Sequence, residues 1–121
     1  MNRPSLGRLG EKIALKALRQ KGYKILGQNV RLPRGEIDVV AKDGRWIVFV
    51  EVKTRSQTHF GSPAEAVDPV KQRRLTRLAR EWLQSQDLAD QPARFDVVSI
   101  LMDPAGKPRV EVFENAFEAA D

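Results

Sequence analysis

Apolar residues recur along this chain with two different periods, and the switches between them mark out its elements. Leu6, Leu9, Ile13, Ala17 and Leu18 follow helical spacing after Ser5, a residue suited to cap a helix, and Gly22 is placed to end it. Residues 23–31 read as a first strand, and Leu32, Pro33, Arg34 and Gly35 as the turn into a second. Two β-branched and aromatic runs then flank Asp43 and Gly44, which predicts a hairpin. After a polar stretch, residues 54–61, Ser62 to Glu65 carries a capping-box pattern, and Asp68 with Pro69 repeats the cap-then-proline signal. From residue 70 to 86 the positions Val70, Leu75, Leu78, Ala79, Trp82 and Leu83 form one stripe of a long helix, with Trp82 expected in the core. Residues 94–102 and 109–113 read as two more strands, and residues 114–121 as a loosely ordered acidic end. This order of elements predicts one α/β domain over residues 1–121, a sandwich with a central mixed sheet covered by two long helices.

The hairpin carries charges where a core belongs. A two-residue type I′ loop at Asp43 and Gly44 places Lys42 opposite Arg45, Val40 opposite Ile47, Asp38 opposite Phe49 and Glu36 opposite Glu51. Strict alternation then gathers Glu36, Asp38, Glu51 and Lys53 on one face and Ile37, Val39, Val48, Val50 and Val52 on the other. Like charges directly opposed destabilise a strand pair, and a bound cation would resolve the conflict. A hard divalent ion such as Mg²⁺ takes one or two carboxylates with water and phosphate oxygens, and Lys53 adds a fixed positive charge on the same face. The plainer alternative is a solvated strand face.

Charge and composition narrow the chemistry further. Zero cysteines exclude disulfides, thiol catalysis and cysteine-bound zinc, and the single histidine, His59 in the polar stretch, leaves little for a histidine-based site, so any metal is expected on oxygen ligands. The net charge of +5 suggests a polyanionic partner, most simply nucleic acid. Arg8 and Lys12 lie on a basic stripe of the first helix, Arg34 in the turn before the hairpin, Arg55 in the loop after it, and Lys71 and Arg74 at the start of the second long helix. These six are the candidate phosphate contacts. Asp96, in an apolar strand, reads as a structural or supporting carboxylate. No apolar run reaches the length of a membrane span and the first residues lack a signal-peptide core, so a cytoplasmic protein without membrane contact is expected.

The segments Gly7 to Glu11, Gly35 to Asp38, Val50 to Arg55 and Arg94 to Val98 together resemble the bacterial YraN family, within the PD-(D/E)XK nuclease superfamily and close to its Holliday-junction-resolvase branch. The proline that usually precedes the motif aspartate is replaced by Ile37, as in resolvase-like branches. The resemblance implies a restriction-endonuclease-like sandwich with Asp38 and Glu51 as Mg²⁺ or Mn²⁺ ligands and Lys53 as catalytic lysine. Glu11 on the first helix would join the metal site, with Glu36 completing the ligand set. It also implies cleavage of phosphodiester bonds in DNA, branched or structured DNA included, and a possible homodimer. Two other classes compete with an endonuclease: a non-catalytic nucleic-acid-binding module of the same fold, and a protein-interaction subunit.

Overall fold

The computed structural model describes residues 6–56, 67–103 and 107–120. Helix α1 (Leu6–Gln20) is followed by strands β1 (Lys24–Leu32), β2 (Gly35–Asp43) and β3 (Trp46–Ser56), helix α2 (Pro69–Ser85), and strands β4 (Ala93–Met102) and β5 (Arg109–Phe117). The strands form one sheet in the order β1-β2-β3-β4-β5. Only β3 and β4 run parallel, because α2 carries the chain back across one face between them; the other pairs are antiparallel. Among the described residues the sheet is therefore mixed and carries one helix on each face, the α/β sandwich expected.

Each helix covers its own apolar cluster. Ala14 and Leu18 of α1 pack with Val39, Ala41, Val48, Val50, Val98 and Ile100. On the other face Leu75, Leu78, Ala79, Trp82 and Leu83 of α2 pack with Ile37, Val40, Ile47, Phe49, Phe95 and Val97. Trp82 meets Phe49 edge-on at 81° with ring centroids 5.8 Å apart, an arrangement favourable by about 0.5–1.5 kcal/mol beyond the buried area. The ends of both helices follow local chemistry. Asp68 Oδ1 accepts from the Lys71 N–H at 2.8 Å with Pro69 at the first helical position, and Gly22 closes α1 at φ +93°.

Four expectations are corrected. In α1 the buried line is Gly10, Ala14 and Leu18, whereas Leu9 is 36% exposed. Val70 of α2 is 67% exposed, lying ahead of the first turn that touches the sheet. Strand β5 continues to Phe117 where a loose end was expected, because Phe117 stacks on Phe95 at 4.7 Å and the Ala120 N–H reaches Thr76 Oγ1. The loop of the β2–β3 hairpin is Gly44 and Arg45, with Asp43 paired to Trp46. Gly44 takes φ +59° at the first central position while Arg45 keeps negative φ, the requirement of a type II′ turn. The register thus moves by two residues, so that Val40 faces Phe49 and Val39 faces Val50. The capping box at residues 62–65 and His59 lie outside the described residues.

Candidate functional site

The β2–β3 ladder ends at Val39 and Val50, just where the expected charges begin. Beyond it the Val52 N–H donates to Asp38 Oδ2 at 2.8 Å, so a side chain takes the place of a ladder bond. Side-chain alternation breaks at this point. Ile37 packs in the α2-side cluster although Val39 packs under α1, which corrects the single greasy face assigned to both. Asp38 sits at the break and lines a cavity of about 270 Å³ with Gly7, Glu11, Val52, Lys53 and Thr54.

Helix α1 comes this close to the strands because of Gly10. A Cβ there would stand 1.9 Å from Thr54 Oγ1, so only glycine lets the helix backbone lie against the end of β3. Glu11, the next residue, is thereby held over the sheet. Asn29 of β1, at φ +48°, completes this side: its amide, oriented to satisfy both carboxylates, donates to Glu11 Oε1 at 3.1 Å and to Glu36 Oε1 at 3.0 Å. Glu36 also faces Arg31 at 3.9 Å and is exposed.

Glu51 is the most buried of these acids, with its side chain 9% exposed. Lys53 Nζ lies 3.6 Å from its Oε1, and Lys71 Nζ, reaching down from the first turn of α2, makes a close ion pair with the same oxygen. Burial, then the charge of Glu51, push the Asp38 carboxyl up to about 7; a hydrogen bond to Glu51 and the charge of Glu11 add to this, against the Val52 N–H. Burial and the neighbouring Lys71 push the Lys53 ammonium down, against the pull of Glu51. Burial also pulls on Lys71, but its hydrogen bonds to Glu51 and Lys53 and the charges of Glu51 and Asp38 outweigh that and hold it above the ordinary lysine value. Asp38 is thus a carboxyl that titrates near neutrality beside Glu51, while Lys71 keeps its proton.

Glu11, Glu36, Asp38 and Glu51 do not all converge. Among the described residues no three Asp, Glu or His side chains close into one set able to hold a metal. Asp38 and Glu51 form one pair, and Glu11 and Glu36 are joined through Asn29.

Asp96 belongs to a different arrangement. It is fully buried and accepts from Tyr23 Oη at 2.8 Å, Arg94 Nε at 3.0 Å and the Asn115 N–H at 3.0 Å, while Arg94 also bridges to Asp43 at 2.8 Å. Burial lowers the Arg94 pKa and its bonds to Asp96 and Asp43 more than restore it. The network gives the buried Asp96 a guanidinium partner and ties the hairpin turn and β5 to β4, a structural role. A larger cavity of about 440 Å³, bordered by Trp46, Arg94 and Phe117, lies at this opposite end of β3.

Comparison with known proteins adds a family. The model of the uncharacterised protein family UPF0102 matches residues 10–100. A UPF0102 protein of Geobacter metallireducens is 48% identical over 99% of this chain and 98% of its own length. The chain belongs to the UPF0102 family. Other UPF0102 proteins are similarly related: that of Moorella thermoacetica is 48% identical over 97% of this chain and 98% of its own, and that of Geotalea daltonii 46% identical over 96% and 91%. The solved structure of Pyrococcus furiosus SfsA in complex with Ca²⁺ aligns over 90% of this chain and 62% of that one, at 14% identity and a TM-score of 0.40.

The segment matched by the UPF0102 model contains Glu11, Asp38, Glu51, Lys53 and Lys71. Around them the basic residues are dispersed. Arg8 and Lys12 are exposed on α1, Arg34 is exposed in the β1–β2 turn, and Arg74 is exposed one turn beyond Lys71. Arg55 is half-buried within β3, paired with Leu101, and not in a loop as expected. Lys71 turns toward Glu51, which its place at a helix start did not indicate. Asn29 stands out in the sequence only as an asparagine, a residue tolerant of positive φ, inside a strand. Among the described residues no helix is long and apolar enough to cross a membrane.

Proposed function

We propose that this protein is a metal-dependent nuclease that hydrolyses phosphodiester bonds in DNA, branched or structured DNA included, with Mg²⁺ or Mn²⁺ as cofactor. The carrying observation is the placement of the buried Asp38 carboxyl, anchored by the Val52 N–H at 2.8 Å, beside the Glu51 carboxylate, with Lys53 Nζ 3.6 Å from Glu51 Oε1. The donor chemistry fits a hard divalent cation: two carboxylates with water suffice for Mg²⁺, and the proton that burial and the Glu51 charge favour on Asp38 is one a cation would replace.

In this reading Asp38 and Glu51 hold the metal, with Glu11 and Glu36 supporting through Asn29. When bound, the cation supplies Lewis-acid polarisation of the scissile phosphate and a lowered pKa for attacking water. Lys53, from the same strand as Glu51, presents its ammonium to the phosphate, where negative charge grows in the transition state. Arg8, Lys12, Arg34, Arg55 and Arg74 hold the polyanion's phosphates and leave the carboxylates to the chemistry. The intact carboxyl pair disfavours a binding-only module, since uncompensated acids beside phosphates weaken binding.

The deciding experiment incubates purified protein with Mg²⁺ or Mn²⁺ and linear, flapped or four-way-junction DNA, beside Asp38→Ala and Glu51→Ala proteins prepared identically. Cleavage by the parent and none by either variant is expected. Equal cleavage by all three would come from a contaminant or another site.

A further inference from the structure

We infer that Lys71 is the resident counter-ion of the Glu51 carboxylate and that a divalent cation entering between Asp38 and Glu51 must displace it. This rests on the metal site proposed above, and concerns how that site is kept and opened.

Glu51 is almost wholly buried, and a buried carboxylate without a partner is strongly destabilising. Its Oε1 is engaged twice, closely by Lys71 and at 3.6 Å by Lys53. Lys53 comes from the same strand two residues on, so its stem leaves the sheet beside Glu51. Lys71 approaches from across the site. Its backbone is pinned: its own N–H bonds Asp68 Oδ1 at 2.8 Å, the Gln72 N–H bonds Asp68 O at 2.9 Å, and Gln72 Nε2 bonds Val67 O at 2.8 Å. The start of α2 therefore stays in place while a flexible four-carbon stem carries the charge. With Lys71 and Lys53 both on Glu51 Oε1, a divalent cation brought to this carboxylate meets two like charges at short range, and the closer of them, Lys71, opposes its binding until it moves away. Exchange of one for the other never leaves Glu51 unpaired.

The consequence separates a counter-ion from an ordinary structural ion pair. Removing the Lys71 charge lowers stability in chelator and also tightens metal binding, because the incoming cation no longer competes; a purely structural pair would lower stability alone. Replacing Lys71 by arginine acts in the opposite sense, since a guanidinium grips a carboxylate with two parallel bonds and is harder to displace.

The test is calorimetric titration of Mn²⁺ alone into the full chain, with melting in chelator and in saturating Mn²⁺ as a second measurement, for the parent, Lys71→Met, Lys71→Arg and Glu51→Gln. Lys71→Met is expected to bind Mn²⁺ at least tenfold more tightly and to show the larger metal-induced rise in melting temperature, from a lower start. Lys71→Arg is expected to bind it more weakly. Equal or weaker binding by Lys71→Met overturns the inference; if that variant does not fold, Lys71→Arg decides, and equal or tighter binding overturns it. Should the parent bind Mn²⁺ through Glu51 while both Lys71 variants match it, the inference falls and the metal site stands. If no protein in the set binds Mn²⁺, both fall together.

Discussion

The Val52 N–H donates to Asp38 Oδ2 across 2.8 Å at the point where the β2–β3 ladder ends. That bond fixes the orientation of Asp38 and also draws on its charge, since the amide favours the carboxylate while burial and Glu51 favour the acid. The carboxyl is consequently balanced near neutrality, with measurable effects.

In chelator the Asp38 carboxyl makes folding depend on pH. Its folded pKa, about 7, lies above the ordinary 3.8, so the folded protein binds the extra proton in that window. Stability from this group is complete below about 3.8, is lost as pH rises through 7, and is level above. Asp38→Asn keeps an acceptor for the Val52 N–H and has no such dependence. It is expected to be more stable than the parent at pH 8, by on the order of 2 kcal/mol after allowing for partial solvent access, with the difference vanishing towards pH 4. Urea unfolding of both proteins across this range checks the sign; a constant difference would remove Asp38 as the cause.

Lys53→Ala should abolish cleavage while leaving DNA affinity within about threefold, because in the proposed function the phosphate contacts come from other basic residues. Lys53→Arg should fail too, since a planar guanidinium does not reproduce a compact ammonium beside Glu51. Parallel cleavage and binding assays separate the two properties. A normally active arginine variant would show that Lys53 contributes only charge.

DNA binding should weaken steeply with salt. For about four phosphate contacts the slope of log K against log salt is roughly −3.6, and Lys12→Ala or Arg74→Ala should each make it shallower by about 0.9 if that residue is one of the four. Titrations at several salt concentrations measure this, and a flat response would argue for contacts other than phosphate.

Gly10→Ala should cost about 1–3 kcal/mol, since the new Cβ collides with Thr54 Oγ1 at 1.9 Å and α1 must lift from β3. Adding Thr54→Ala removes the nearest atom and should return part of the loss, although Thr54 Cβ at 3.0 Å remains tight. Thermal melts of both single variants and the double variant test the coupling. Additive losses would mean that the two positions do not meet.

Asp96→Ala should be the most destabilising of these changes, by about 3–5 kcal/mol, because it leaves the Arg94 charge and the Asn115 N–H short of a buried acceptor. Chemical denaturation measures it, and a loss below about 1 kcal/mol would show the network to be dispensable.

Sequence pattern disclosed what depends on neighbours along the chain. The helix stripes, the Asp68 cap, the hairpin and the gathering of Asp38, Glu51 and Lys53 all follow from periodicity and turn chemistry. Less legible was whatever depends on a single dihedral or on docking. Arg45 at negative φ moves the hairpin register by two residues, which preserves the parity of the faces, so Asp38 and Glu51 still come together. Ile37 lies on the other side because the β2–β3 ladder ends at Val39, leaving Asp38 without a ladder partner on β3, an irregularity that alternation does not contain. The approach of Lys71 depends on where α2 crosses the sheet, and that of Asn29 on a positive φ inside a strand.

The parallel pairing of β3 with β4 also has a bearing on synthesis. Beyond Val50 the β2–β3 ladder has ended, and Glu51 and Lys53 are held in the sheet by β4, opposite Val97 and Ser99. Lys71 is carried on a helix whose apolar stripe packs against Phe95 and Val97 of the same strand as well as the hairpin. The acid and its second ammonium therefore both depend on a strand that is synthesised after them, and such long-range pairings are slow to close.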